Sequence, residues 1–260
     1  MKQKIGIIGL GNMGSAFYQR LETILPAEQL FGYDKSGGSK LEMKNKVESV
    51  QELIDKVEVV ILAVKPQSLS DLAVELEGSC QNRLVISMLA GVSVAKLQDA
   101  LIAERVIRCM PNLPIKVGKG VTGWIASVEA TNEDKKLAQK IFSSFGYQVK
   151  VSNENMLDVV TALSGSGPAY YFYLCQILTA WAREMGFNEE EARAIAENTF
   201  RGAAKLMEPG DMSSEDWVQA VASKGGTTEA ALKSFAQDKL DEIVTRGLEE
   251  AKKKSKELSG

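Results

Sequence analysis

Two glycine-rich stretches, far apart in the sequence, hold the residue types and spacings best suited to chemistry. Near the start, Ile5-Gly-Ile-Ile-Gly-Leu-Gly-Asn-Met-Gly14 carries the spacing Gly9-x-Gly11-x-x-Gly14, after an apolar run and ahead of a helical pattern. In that context Gly9 permits a tight turn, Gly11 lets backbone approach a pyrophosphate, and Gly14 lets a helix pack close to a strand. The helix start at Asn12 and Met13 then offers free N–H groups and the positive end of a dipole to phosphates. Near the other end, Ser223-Lys224-Gly225-Gly226-Thr227-Thr228 precedes another helical pattern. Its glycines expose backbone, Thr227 and Thr228 bring hydroxyls able to cap a helix, and Glu229 favours a helix start. These features read as a second anion site, sized for a carboxylate; an ordinary capped helix is the alternative.

Between the two lie segments that a dinucleotide fold would place at its ligand edge. Asp34 follows Gly14 by 20 positions, at the end of a second apolar run. Such a carboxylate commonly holds ribose hydroxyls and disfavours a 2′-phosphate. Lys35, Ser36, Ser39 and Lys40 follow at once and are suited to receive that phosphate, so NADH and NADPH both stay open. Ala63-Val64-Lys65-Pro66 ends a third apolar run, where Pro66 stops a strand and Lys65 can approach a phosphate or ribose. Ala90-Gly91 and Met110-Pro111-Asn112 also follow strand-like runs and are expected to line the nicotinamide end. For Lys65 a strand-end lysine is the plain alternative, and for Asn112 a turn between prolines.

Positioning these residues requires a parallel sheet. Strand patterns at residues 4–8, 30–33, 58–64, 84–88, 106–110, 121–125 and 147–151 alternate with helical ones at 13–23, 51–55, 68–77, 93–100 and 133–144. That alternation predicts an α/β, doubly wound, Rossmann-type dinucleotide-binding domain over residues 1–159. Residues 160–260 show only helical patterns, at 169–185, 188–206, 213–222 and 228–256, and are expected to form an all-helical substrate and dimerisation domain. The helix over 169–185 is apolar nearly all round (Tyr170, Tyr171, Phe172, Leu174, Ile177, Leu178, Trp181), which predicts burial on more than one side and a homo-oligomeric interface.

Composition narrows the partners. A net charge of −3 and a pI near 5.4 provide no electrostatic footprint for nucleic acid or an anionic membrane. The basic run Lys252-Lys253-Lys254 sits beside Glu249, Glu250 and Glu257 and reads as a solvated helix face. No stretch reaches the roughly 18 apolar residues of a membrane span, and the charged opening Met-Lys-Gln-Lys does not resemble a signal peptide. Three scattered cysteines (Cys80, Cys109, Cys175) argue against a disulfide framework or zinc site and for a cytoplasmic location. There is no histidine, which removes the commonest proton donor for ketone reduction and the most usual metal ligand. No metal is expected.

With these segments in view, the sequence resembles the pyrroline-5-carboxylate reductases. Gly-Leu-Gly-Asn-Met-Gly14, Ala63-Val-Lys-Pro66, Met110-Pro-Asn112, Ser164-Gly-Ser-Gly-Pro-Ala-Tyr170 and Gly225-Gly-Thr-Thr228 occur in that family's order and spacing, from about residue 3 to residue 256. The resemblance implies a Rossmann-type domain followed by a helical dimerisation domain, and reduction of a cyclic imine, Δ1-pyrroline-5-carboxylate, to L-proline with NAD(P)H. It implies that the Thr228 hydroxyl bonds near the substrate ring nitrogen, with Gly225, Gly226 and Thr227 around its carboxylate. It further implies that Ala63–Pro66 and Met110–Asn112 line the cofactor. The chain carries Lys224 where members often have Pro, Leu113 where they have Thr, and an acidic Asp34 that many lack.

A protonated imine accepts hydride to give an amine rather than an alkoxide, so no strong protein acid is needed at that step. Holding the reactants together in a water-excluding pocket then supplies most of the catalysis, and a threonine hydroxyl suffices to orient the nitrogen. The missing histidine therefore favours imine over ketone reduction. A β-hydroxyacid-type dehydrogenase using Lys65 or Lys224 as acid, and a silent nucleotide-binding paralogue, are the alternatives; the intact Gly225–Thr228 loop speaks against the latter.

Overall fold

In the computed structural model, which describes residues 3–36, 41–208 and 210–259, the N-terminal half forms a seven-stranded sheet. Its strands are β1 (Ile5–Ile8), β2 (Leu30–Tyr33), β3 (Val59–Leu62), β4 (Leu84–Ser87), β5 (Arg105–Pro111), β6 (Gly120–Ala126) and β7 (Gly146–Lys150), in the order β2-β1-β3-β4-β5-β6-β7. Every residue of β1, β3 and β4 is buried, because helices cover both faces and no position can face water. Helices α1 (Asn12–Glu22), α2 (Val50–Lys56), α3 (Leu69–Leu76), α4 (Val94–Leu101) and α5 (Asn132–Ser143) supply that cover. Ser49, Ser93 and Thr131 cap three of them through side-chain oxygens.

One expectation needs correction at the sheet's far side. β6 runs antiparallel to β5, with Met110 opposite Gly123 and Pro111 opposite Thr122. The reason is the connection: a short 3₁₀ turn (Leu113–Val117) cannot carry the long crossover that parallel pairing demands. The other neighbouring pairs are parallel.

After β7 comes α6 (Asn155–Val160), which continues into a π-helical turn at Thr161–Gly165. Glu154, just ahead of α6, accepts from the buried Arg108 of β5 at 2.9 Å and from the backbone N–H of Val94 at 3.0 Å. Val160 packs close to β6, since a side chain at Gly123 would meet its methyl at 2.8 Å.

Two compact units result: Met1–Ser166 with Glu250–Gly260, and Gly167–Glu249. The division thus lies beyond the 159/160 position read from sequence, as α6 and the π-turn pack against the sheet. The final residues rejoin the first unit, where Ser255 Oγ donates to the buried Asp158 Oδ1 at 2.7 Å. The second unit contains α7 (Gly167–Glu184), α8 (Glu189–Met207), α9 (Ser214–Val221), α10 (Thr227–Gln237) and the start of α11 (Leu240–Ser259). The single helix expected over 228–256 is two, because Lys239 adopts a left-handed φ of 55° that ends α10.

Candidate active site

Where β1 and β3 adjoin, the chain reverses the direction in which strands are added, and doubly wound sheets bind ligands at the carboxyl ends of such a pair. A cleft of about 360 Å³ opens there. Each fingerprint glycine has its own steric reason. Gly9 has φ +93° and a Cβ on it would lie 2.8 Å from the Ala63 backbone. A Cβ on Gly14 would sit 1.9 Å from the Gly9 carbonyl oxygen, whereas one on Gly11 would meet nothing within 4 Å and point into open space. The first turn of α1 has no side-chain cap and no acidic residue. Its N–H groups and positive dipole end are therefore available to an anion, and this is the cradle a dinucleotide pyrophosphate requires.

Of the residues expected to bind cofactor, Gly9, Gly11, Asp34, Lys35, Ser36, Ala63, Val64 and Lys65 line the cleft. Asn12, Met13, Gly14, Pro66, Ala90 and Gly91 do not; Gly14 acts by letting α1 close on β1, and Met13 packs against the core. Met110, Pro111 and Asn112 are buried, so their side chains do not form an open lining. Met110 sits in an apolar cluster with Val151 and Leu157. Ser39 and Lys40 lie outside the described residues. Reading the sequence missed Ser68, Asp71, Leu72 and Glu75, which also border the cleft. Their spacing of three, four and seven residues places them on one helical face, a signal that was present right after Lys65-Pro66.

Asp34 is already engaged. Its Oδ2 accepts the Leu10 N–H at 2.5 Å, and its Oδ1 accepts the Ser36 N–H at 2.9 Å as well as the Ser36 hydroxyl. Burial pushes its carboxyl up, but the bonds from Ser36 and Leu10, with Lys46 nearby, outweigh it and hold the group below its ordinary value. Asp34 thus braces the glycine loop. Lys35 Nζ meets Glu75 Oε1 at 2.5 Å, an arrangement that raises its affinity for the proton.

In the helical unit, Gly225 has φ +75° and a Cβ on Gly226 would strike Ser223 Oγ at 2.4 Å. The N-cap of α10 is Gly226, with no side-chain cap. Capping by Thr227 or Thr228 is thereby corrected: both already lie within the first turn. The first helical bond runs from Ala230 N–H to the Gly226 carbonyl at 3.2 Å, which leaves the N–H groups of Thr227, Thr228 and Glu229 outside the helix's own ladder. Glu229 instead reaches back to accept the Gly225 N–H and pairs with Lys233 at 2.8 Å. Lys233 and that N–H keep its carboxyl below the usual range. Lys224 is exposed beside Glu229 and Lys233, around a hollow of about 410 Å³.

Comparison with known proteins likewise separates an N-terminal from a C-terminal part. Residues 154–258 match the family model described as pyrroline-5-carboxylate reductase dimerisation, and residues 4–91 match NADP oxidoreductase coenzyme F420-dependent. The pyrroline-5-carboxylate reductase of Pseudomonas aeruginosa is 32% identical, over 98% of this chain and 97% of its own. The chain belongs to the pyrroline-5-carboxylate reductase family. A solved family member from Coxiella burnetii superposes with a TM-score of 0.89 at 30% identity, covering 100% of both chains. The Plasmodium falciparum pyrroline carboxylate reductase, solved with NADP bound, superposes at 0.88 with 28% identity, covering 100% of this chain and 99% of that one. The Rossmann-type and helical dimerisation domains expected from sequence are those of the family.

Proposed function

We propose that this chain reduces the C=N bond of Δ1-pyrroline-5-carboxylate, giving L-proline, with NAD(P)H as reductant. Membership of the reductase family supports the reaction, and one structural observation carries its local chemistry. The start of α10 presents uncommitted backbone N–H groups beside the Thr228 hydroxyl, at the end of a glycine loop. These donors suit a carboxylate, and Thr228 suits the ring nitrogen.

When bound, the reduced nicotinamide supplies the hydride. Gly11 and the start of α1 hold the pyrophosphate, while Ile8, Tyr33, Val50 and Leu72 provide apolar walls to the cleft. We assign NADPH as an accepted cofactor, alongside NADH. Both Asp34 oxygens are taken by donors, which softens its repulsion of a 2′-phosphate, and Lys35 and Ser36 stand next to it. The NADP oxidoreductase model matched over residues 4–91 points the same way. A β-hydroxyacid reaction has less support, since Lys65 and Lys224 are both exposed and neither shows the buried setting that tunes a lysine acid.

The chain functions as a homo-oligomer through α7, on our reading. Tyr171, Phe172, Leu174 and Trp181 are 54%, 62%, 50% and 60% exposed, an apolar face of the kind that marks an interface. The three free thiols suit a reducing cytoplasm. The deciding assay mixes purified protein with pyrroline-5-carboxylate and either reduced cofactor. Loss of nicotinamide absorbance with proline formation is expected, and no turnover with either cofactor sinks the proposal. Light scattering of the same sample tests the oligomer, with a dimer or larger expected.

A further inference from the structure

Asn112 was expected to face the cofactor, yet every polar atom of its side chain is spent inside the protein. It is 6% exposed. Its Oδ1 accepts the Val121 N–H at 2.8 Å, and its Nδ2 donates to the Ser164 carbonyl at 3.1 Å and the Ser164 hydroxyl at 3.0 Å. Its backbone is equally committed, donating to the Val121 carbonyl and accepting from Ile115 N–H. Both amide hydrogens thus converge on one residue.

That residue lies in the π-turn. The turn is closed by Ser166 N–H on the Thr161 carbonyl at 2.8 Å, and Thr161 Oγ1 donates to the Leu157 carbonyl at 2.7 Å. π-Turns inside helices recur at functional sites, since the widened turn displaces a side chain and frees backbone groups from the ladder. Here Asn112 satisfies the Ser164 carbonyl. A Cβ on Gly165 would be 3.9 Å from Met110 Cγ, so the turn lies directly against the carboxyl end of β5. This is the same edge of the sheet as Gly9 and Ala63, on the side away from β2.

Resting on the reductase reading above, we propose that Asn112 is a positioning residue for the reaction, acting through Ser164. It pins the π-turn to the end of β5 and so fixes the wall against which the nicotinamide half must align. Because the Ser164 hydroxyl accepts from Asn112, its own hydrogen stays available for a further acceptor. Alignment at that wall is where small displacements are costly to rate.

The test uses full-length Asn112→Asp, Ser164→Ala and the double variant. Asn112→Asp keeps the acceptor for Val121 and removes the donor to Ser164; Ser164→Ala retains the carbonyl bond and carries the test if the first fails to fold. We expect kcat to fall about tenfold in Asn112→Asp and less in Ser164→Ala, with KM for the imine and Kd for NADPH little changed. The double variant should be no slower than Asn112→Asp, and the deuterium isotope effect on kcat should rise. Without any ligand, amide exchange across residues 161–167 should quicken in Asn112→Asp. Normal kcat in both single variants overturns the proposal, even if stability falls, and so does unchanged exchange. A wild-type protein that leaves the imine untouched overturns the reductase reading and this catalytic role with it, while the exchange result still decides whether Asn112 pins the turn.

Discussion

Lys35, in the turn just after β2, pairs with Glu75 on α3, Nζ to Oε1 at 2.5 Å, at the nucleotide cleft. The pair is exposed, so it holds Lys35 only loosely, but it occupies a cation that lines the cleft beside Asp34. Glu75 also adds a negative charge to that cleft. Glu75→Gln should therefore tighten NADPH roughly threefold while leaving NADH alone, an effect that shrinks as salt is raised. Fluorescence titration with each cofactor reads this directly. Equal changes for both cofactors would show that Glu75 does not discriminate between them.

The fingerprint glycines should separate folding from binding. Gly11 has an ordinary φ of −66° and open space at its Cβ, so Gly11→Ala should leave Tm unchanged or slightly higher. NADPH affinity should drop about tenfold, because the methyl stands where phosphate approaches. Gly14→Ala should instead destabilise the fold by about 3 kcal/mol or more, since its methyl meets the Gly9 backbone at 1.9 Å. Thermal melts alongside cofactor titration distinguish the two; a stable Gly14→Ala protein would contradict the packing role.

Asp34 makes stability depend on pH. Its folded carboxyl lies below the ordinary 3.8, so its bonds to Leu10 and Ser36 stabilise the fold fully above that value. The contribution drains away as pH falls through the lower, folded value. Asp34→Asn should thus be less stable than the parent at neutral pH, with the gap closing in acid. Urea unfolding across that range tests it, and a gap of constant size would assign the loss to shape rather than charge.

Thr228 should separate chemistry from cofactor binding. Its hydroxyl caps nothing, so Thr228→Ala should fold normally and keep its NADPH affinity. Turnover should fall roughly tenfold to a hundredfold from loss of the proposed bond at the ring nitrogen. If cofactor affinity falls equally, Thr228 serves the nucleotide rather than the imine.

The parts of the molecule that repeat locally were legible in the sequence. Seven strands and their helices followed from apolar runs and periodicity, since the burial of β1, β3 and β4 on both faces leaves an unbroken apolar signature. Gly9, Gly11 and Gly14 were equally plain, because a turn's need for glycine is set within a few residues of chain. Two sheet and helix details were not. The direction of β6 depended on whether a short 3₁₀ turn replaces a crossover, and the break at Lys239 rests on one left-handed residue that composition does not mark.

The glycine fingerprint and the Gly225–Thr228 loop could be found by sequence alone, because each acts through backbone set by its own neighbours. What only the tertiary structure decided was how side chains distant in sequence spend their polar groups. Asp34 and Asn112 both carry chemistry suited to a ligand; in the fold Asp34 lines the cleft while also bracing Leu10 and Ser36, and Asn112 spends its amide on Ser164, 52 residues away. A polar group becomes a ligand or a brace according to which partner the fold brings within about 3 Å, and no local pattern records that choice.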